Sequence, residues 1–311
     1  MQVKIHHSIE AAKIDDHTVA TIGTFDGVHN GHLEIIRRIT DAARDSNCKS
    51  LILTFFPHPR MVIGSGGDIK LLNTLEERID LLRRTGLDHL VVHPFDEAFS
   101  SLGAEEFVAD ILVEKLRAKK IIVGHDHRFG RGRSAGYEDL EALGSRYGFE
   151  VEQISAEKID SVSVSSTKIR HALSEGDIPL ANKYLGYPYM LSGTVIKGRQ
   201  LGRTLGFPTA NLNIAETYKL IPRQGVYFVC SEIHDKTFYG VMNIGTRPTV
   251  SGDGTSIEVY FLDLDEDLYR QKLTVNLLER LRAEQKFEST DALRQQIAQD
   301  VETARTMASR L

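Results

Sequence analysis

The sequence predicts an α/β fold joined to a β fold: a doubly wound parallel sheet first, then an antiparallel sheet or small barrel closed by a helix. Two observations carry that expectation and a third bounds it. From Val3 to about Ser155, short apolar runs alternate with amphipathic stretches, the grammar of βαβ units. After Tyr184–Pro188 the alternation stops, and β-rich runs follow one another across glycine or aspartate turns. The chain has 311 residues, enough for about two domains.

Taken in order, the first expected strand is His17–Thr21, apolar at Val19 and Ala20, running through Ile22 into a turn at Gly23. A loop with Asp26, Gly27, His29 and Gly31 follows. His32 then opens a helical pattern over Leu33–Asp45, with Leu33, Ile35, Ile36 and Ile39 as its apolar positions. Ser50–Phe56, His89–Phe95, Lys120–Val123 and Phe149–Ile154 read as the next strands. All but the last are short, apolar and β-branched, as buried parallel strands are. Leu75–Arg84, Ala104–Leu116 and Tyr137–Tyr147 read as the helices between them. In such sheets ligands bind at the carboxyl ends of the strands.

Three loops after strands therefore matter most. Thr21–His32 (TIGTFDGVHNGH) joins strand, glycine loop and helix N-terminus, a preformed anion site, and its two histidines add donors. In Thr54–Arg60 (TFFPHPR), Pro57 and Pro59 forbid a helix start between them and fix His58 near the sheet edge. In Val123–Arg133 (VGHDHRFGRGR), glycines allow close approach, Asp126 suits a ribose or base, and Arg133 with its neighbours suits phosphate. A rigid connection and a polar surface loop are the plain alternatives for the last two. Further on, Ser165, Ser166 and Thr167 precede a helical stretch with Lys168 and Arg170, either a simple helix cap or one jaw of a triphosphate site.

The boundary is expected at Gly186, with Pro188 beyond it. Met190–Ile196, Gly225–Ile233, Thr237–Asn243, Ser256–Leu264 and Lys272–Leu281 read as strands, with no helix among them. Ser289–Arg310 closes the chain as a helix whose stripe of Leu293, Ile297, Val301, Ala304 and Met307 should pack on the barrel.

Composition excludes several function classes. The net charge is −5 with cations scattered among acids, unlike a nucleic-acid binder. No apolar run approaches the ~18 residues of a membrane span, and the first sixteen residues carry no signal-like apolar core. Cys48 and Cys230 stand apart from any CxxC, which fits a reducing cytoplasm and excludes a thiolate zinc cluster. Nor do the histidines show the helical spacing of a zinc motif. The expected location is cytoplasmic, with no nucleic-acid and no membrane partner.

A second chemical stretch is Lys197–Leu212 (KGRQLGRTLGFPTANL), where Gly198, Gly202 and Gly206 recur at four-residue spacing. It is not a Walker A loop: the spacing is one residue short, Arg203 stands where lysine belongs, and Pro208 blocks a following helix. It remains able to wrap phosphates. Thr209 and Asn211, two apart in extended backbone, offer hard neutral oxygens on one face, suited to Mg²⁺ shared with a nucleotide. Glu258, an acid within SIEVYFLDL, is the candidate proton acceptor for phosphorylating a hydroxyl. A solvent-facing strand acid is the plain alternative.

Taken together, GTFDGVHNGH, FPHP, the GHDHRFGRGR loop and SSTKIR resemble the adenylyltransferase module of bacterial bifunctional riboflavin kinase/FAD synthetases. LGFPTANL, Gly225–Tyr227, NIGTRPT (Asn243–Thr249), IEVYFLDL, Asp267–Tyr269 and LRAEQKF (Leu281–Phe287) resemble its riboflavin kinase module. The match covers nearly the whole chain in the right order. The chain departs from the family's common pattern at His127, Ala135, Tyr260 and Arg270.

The resemblance implies a Rossmann-like sheet of the HxGH nucleotidylyltransferase type over 1–186, and a six-stranded antiparallel barrel with a C-terminal helix over 187–311. It implies two reactions: riboflavin and ATP to FMN in the second module, then FMN and ATP to FAD and pyrophosphate in the first. His29 and His32 would bind the ATP phosphates and steady charge at the α-phosphorus, within a nucleotide site formed by Gly23, Phe25, Asp26, Gly31, Asp126 and Arg133. Ser166, Thr167 and Arg170 would hold the β- and γ-phosphates. In the kinase, Gly198, Gly202, Thr204, Thr209 and Asn211 would hold the nucleotide, Thr209 and Asn211 also Mg²⁺, with Glu258 as base. His58 and Arg282 would meet the flavin. The implied partners are small molecules, with room for a weak homo-oligomer. Two alternatives stay open at this level: one module active beside a ligand-binding remnant, or a flavin or nucleotide sensor with the same pockets.

Overall fold

The computed structural model describes residues 3–63, 69–125, 127–154, 164–198, 201–249 and 252–311, with backbone alone at 247–249 and 252–254. Its contacts divide the chain into two units, Met1–Ser166 and Thr167–Leu311.

The first unit is built on six parallel strands: β1 (Lys4–His6), β2 (Thr18–Ile22), β3 (Lys49–Phe55), β4 (His89–His93), β5 (Ala118–Gly124) and β6 (Glu150–Ile154). Their order is β1-β4-β3-β2-β5-β6. The five expected strands are β2 to β6, each within two residues of its expected ends; β1 is an addition. Successive residues of the inner strands serve opposite faces, as the pleat requires. Val19, Ile52 and Leu90 join Ile36 and Ile39 of the helix Asn30–Asp45 and Leu82 of the helix Leu75–Arg83. Ala20, Leu51 and Val91 join Phe107, Leu112 and Leu140 on the other side. Helices therefore cover both faces, and strands buried on both faces show as unbroken apolar runs. The expected helix Ala104–Leu116 is a short α-helical start, Ala104–Glu106, continuing as a π-helix over Phe107–Lys115.

The strand order sets where chemistry can sit. From β2 the chain winds outward through β3 to β4, then returns to place β5 on the other side of β2. The switch point lies between β2 and β5, so the loops Gly23–His29 and Gly124–Arg133 leave the sheet at its ligand-binding crevice.

β1 introduces a pH-sensitive contact. His6 Nε2 and His89 Nδ1 are 3.0 Å apart, their rings stack, and His89 is buried. Burial holds both imidazoles below the usual histidine range, and His6 further disfavours protonation of His89. Because the folded pKa lies below the unfolded one, the unfolded chain binds more protons as pH falls below about 6.5, and stability falls with it. The urea midpoint should therefore drop between about pH 7.5 and about 5.5, and His6→Asn should flatten that slope. Equal slopes in the two proteins would remove the pair as the cause.

The second unit begins with the helices Ser166–Glu175 and Ile178–Leu185, the latter ended by Gly186 in the left-handed region (φ 84°). Six antiparallel strands then close a barrel in the order β10-β11-β8-β7-β12-β9. They are β7 (Met190–Ile196), β8 (Ala210–Asn213), β9 (Gly225–Ile233), β10 (Lys236–Thr249), β11 (Gly252–Phe261) and β12 (Lys272–Arg282). Buried cross-strand pairs such as Ile244–Ile257, Met242–Val259 and Val229–Leu277 fill the interior. Outside, the helix Thr290–Ala308 lays Ile297, Val301, Ala304 and Met307 against Phe228 and Leu262. Two details correct the sequence reading. A helical turn, Leu201–Thr204, does intervene among the strands, and the PTAN stretch supplies a strand, β8.

Candidate active sites

The first centre follows β2. Gly23 N–H donates to the Leu53 carbonyl at 3.1 Å, and a Cβ on Gly23 would press on the Phe25 ring at 3.0 Å. Phe25, Gly27 and Val28 then take positive φ (50°, 92° and 36°). For Phe25 and Val28 this is strain of about 1–3 kcal/mol each. Both side chains are buried among Val19, Ile36 and Ile39, and that burial offsets the strain and fixes the loop. His29 is the helix N-cap: its Nδ1 accepts the His32 N–H at 3.3 Å. That bond makes Nδ1 the unprotonated nitrogen and leaves Nε2–H as donor. The His29 and His32 rings stack at 3.7 Å, and Phe25 flanks His32 at 5.0 Å. Burial, reinforced by His29 and Arg78, holds His32 well below the usual histidine range. Gly31 is buried in the first helical turn.

Other sequence-predicted residues of this centre have specific partners. Asp26 is buried, and its Oδ1 accepts the N–H groups of Leu72 (2.9 Å) and Asn73 (3.4 Å). Its carbonyl accepts the Ser166 hydroxyl at 2.9 Å. The Asp26 carboxylate thus orders the loop. His58 caps the turn Pro59–Val62, its Nδ1 accepting the Arg60 N–H at 3.1 Å. Arg133 is exposed, at φ 58°, inside the loop closed by the Phe129–Ala135 bridge. Thr167 and Arg170 lie in the first turns of the helix Ser166–Glu175. Asp126 lies outside the described residues. Arg78, which the sequence reading missed, is buried beneath the loop and donates to the carbonyls of Thr24 (2.5 Å) and Phe55 (3.1 Å).

The second centre lies on the outer face of the barrel. Glu258 on β11 stands opposite Asn211 on β8 and Asn243 on β10. The Thr209 hydroxyl donates to Glu258 Oε2 at 3.1 Å. Gly198 and Gly202 explain themselves here: a Cβ on Gly198 would collide with the Asn211 amide, and one on Gly202 with the Phe207 carbonyl beside Thr209. Tyr260 packs edge-on to Phe207 at 5.5 Å, forming an apolar wall next to Glu258. The Thr204 hydroxyl is bonded to the Leu201 carbonyl within its own turn. Asn243 was missed as a site residue, although NIGTRPT contains it. Glu284 was missed too; its carboxylate lies over Gly245, next to Asn243.

Arg282 has a partner within the fold. It pairs bidentately with buried Asp300 of the C-terminal helix (2.7–3.1 Å), and Gln296 donates to the same carboxylate. Among the described residues, no three His, Cys, Asp or Glu side chains gather as a metal cage.

The sequence matches the FAD synthetase family model over residues 11–168 and the riboflavin kinase family model over residues 185–308. It is 39% identical to the bifunctional riboflavin kinase/FMN adenylyltransferase of Escherichia coli (strain K12), covering 92% of this chain and 91% of that one. The Pseudomonas fluorescens protein of the same name is also 39% identical, over 94% and 93%. A solved structure described as a macrolide-efflux protein from Streptococcus pneumoniae superposes with a TM-score of 0.87 at 31% identity, over 98% of this chain and 99% of that one. Among the described residues, no helix is long and apolar enough to cross a membrane.

Proposed function

The chain belongs to the family of bifunctional riboflavin kinase/FMN adenylyltransferases, and we infer from that premise how its two centres divide the work. The barrel module phosphorylates riboflavin with ATP to give FMN. The parallel-sheet module transfers AMP from a second ATP to FMN, giving FAD and pyrophosphate. We set the functional boundary at Gly186 and place the enzyme in the cytoplasm, in keeping with its two free cysteines.

The observation that carries the kinase assignment is the contact between Thr209 and Glu258, with Asn211 opposite. The ribityl hydroxyl is neutral, so its proton must go to an acceptor as the bond to phosphorus forms. Glu258 is that acceptor, and the Thr209 hydroxyl fixes the orientation of its carboxylate. Thr209 and Asn211, neutral oxygen donors beside a carboxylate, fit Mg²⁺ that arrives with ATP. Once bound, the ion would neutralise charge on the transferred phosphoryl group. Gly198 keeps Asn211 in place, so Gly198→Ala should raise the kinase KM for MgATP about tenfold and leave adenylylation unchanged. Steady-state kinetics of both reactions would check this.

Adenylylation needs no general base, because the FMN phosphate is largely ionised at neutral pH. It needs positioning and charge stabilisation. His29 and His32 supply donors at the α-phosphate. Ser166, Thr167 and Arg170 hold the β- and γ-phosphates. Gly23, Phe25, Gly31 and Asp26 shape the nucleotide loop, while His58 meets the flavin. Arg133 and Asp126 keep their nucleotide roles from the resemblance alone.

Product chromatography tests the scheme. Purified protein with MgATP should convert riboflavin to FMN and then FAD, and should convert supplied FMN to FAD. FMN without FAD would sink the adenylyltransferase, and no turnover with saturable ligand binding would favour a sensor.

A further inference from the structure

The buried arginine beneath the first centre belongs neither to the hydrophobic core nor to the assigned ligand contacts. In LEERIDLLR, Arg78 lies three residues after Leu75 and four before Leu82, so helical spacing puts a charged side chain on the apolar stripe. The structure buries it there, at 3% exposure. Glu77 closes the capping box with Thr74 and so anchors the helix start. From the next position the Arg78 guanidinium reaches the ends of two neighbouring strands. One nitrogen donates to Thr24 O, in the loop after β2, and another to Phe55 O, the last carbonyl of β3. The carboxyl edge of a parallel sheet presents carbonyl oxygens, a poor surface for a polyanion. Arg78 covers two of them and places a fixed positive charge below the loop that is to receive phosphates.

We propose that Arg78 is the positioning residue of adenylyl transfer: through its contacts to the Thr24 and Phe55 carbonyls it clamps the Thr24–Val28 loop to β3 and so holds the stacked His29–His32 pair in place. The inference rests on His32 acting in that reaction. At 3.7 Å two charged rings would repel each other, so the stack suits neutral imidazoles. The titratable and charged groups that act on His32 are His29 on its own segment and Arg78 on the helix Leu75–Arg83; Phe25 contributes an apolar wall. Both oppose a proton on His32.

The test compares full-length wild type, R78K and R78Q, measuring FAD formation from supplied FMN and MgATP across pH, with riboflavin phosphorylation as the control for folding. R78Q should lose about 10²-fold in kcat/KM for ATP through a misplaced loop, and its acid limb should move to higher pH. R78K keeps the charge but not the fork, so it should lose rate while its acid limb stays near the wild-type position. An R78Q protein with the wild-type kcat/KM for ATP overturns the proposal, and so does a profile that overlays the wild-type profile in shape. If R78Q does not fold, an R78K protein at full wild-type rate overturns it instead. Wild-type protein that makes no FAD at all would mean that the reading of the whole centre is at fault, not that of Arg78.

Discussion

Glu258→Gln lowers riboflavin phosphorylation by about 10²–10⁴-fold, the range a positioned proton acceptor contributes, and leaves FAD formation from supplied FMN intact. Glutamine keeps the shape of the side chain and a carbonyl oxygen able to accept the Thr209 hydroxyl, now at 3.1 Å from the carboxylate. What it loses is basicity. The variant should therefore fold, bind MgATP with a near-normal KM and fail in kcat. A kinase rate within a few-fold of wild type would remove Glu258 as the acceptor. Loss of both activities in a folded variant would argue against two separate sites. The complementary variant, Thr209→Val, keeps the base but frees its carboxylate, so both kcat and the KM for MgATP should suffer.

The contrast between the two centres explains what could be read from the sequence. β2 and β3 were legible because both their faces are buried, which leaves an unbroken apolar signature. β1 was not, because Lys4–His6 offers one apolar residue and takes its order from pairing with β4. β8 was hidden for a related reason: of its four residues, Asn211 and Asn213 are polar, and its length is near the minimum for a strand. The π-helical stretch Phe107–Lys115 keeps its apolar residues at helical spacing, so the pattern announces a helix without announcing its hydrogen-bond register.

Site residues divide in the same way. Candidate residues placed by local geometry, such as His29, His32, Thr209 and Asn211, stand inside short glycine- or proline-marked motifs. Arg78 and Asn243 reach their positions through pairings that their own motifs do not announce. Arg78 meets Thr24 54 residues away, and Asn243 stands opposite Glu258 only because β10 and β11 pair in that register. Asp26, His58 and Arg282 add a second lesson: each stands in a suggestive motif, and the sequence does not announce the partner each also has within the fold, the Leu72 amide, the Arg60 amide and the Asp300 carboxylate.

For the first centre the decisive experiment must separate capping from chemistry, because the proposed donor His29 is also the helix N-cap. Removing both histidines in His29→Ala plus His32→Ala should cost adenylylation at least about 10³-fold, since losing one preorganised donor typically costs 10²–10³, and should spare the kinase. Alanine at position 29 also removes the N-cap, worth about 1 kcal/mol, so loss of rate in that variant could be blamed on a frayed helix. His29→Asn resolves this. Asparagine is among the best N-cap residues and can accept the His32 N–H as the Nδ1 of His29 does now, but it has no imidazole Nε2–H to offer a phosphate and no ring to stack on His32. The expected result is a melting temperature close to wild type, an unchanged kinase rate and adenylylation reduced by about 10²-fold. Full adenylylation in His29→Asn would mean that the histidine serves the helix, and that the charge at the α-phosphorus is met by His32, the helix N-terminus and the loop amides without it.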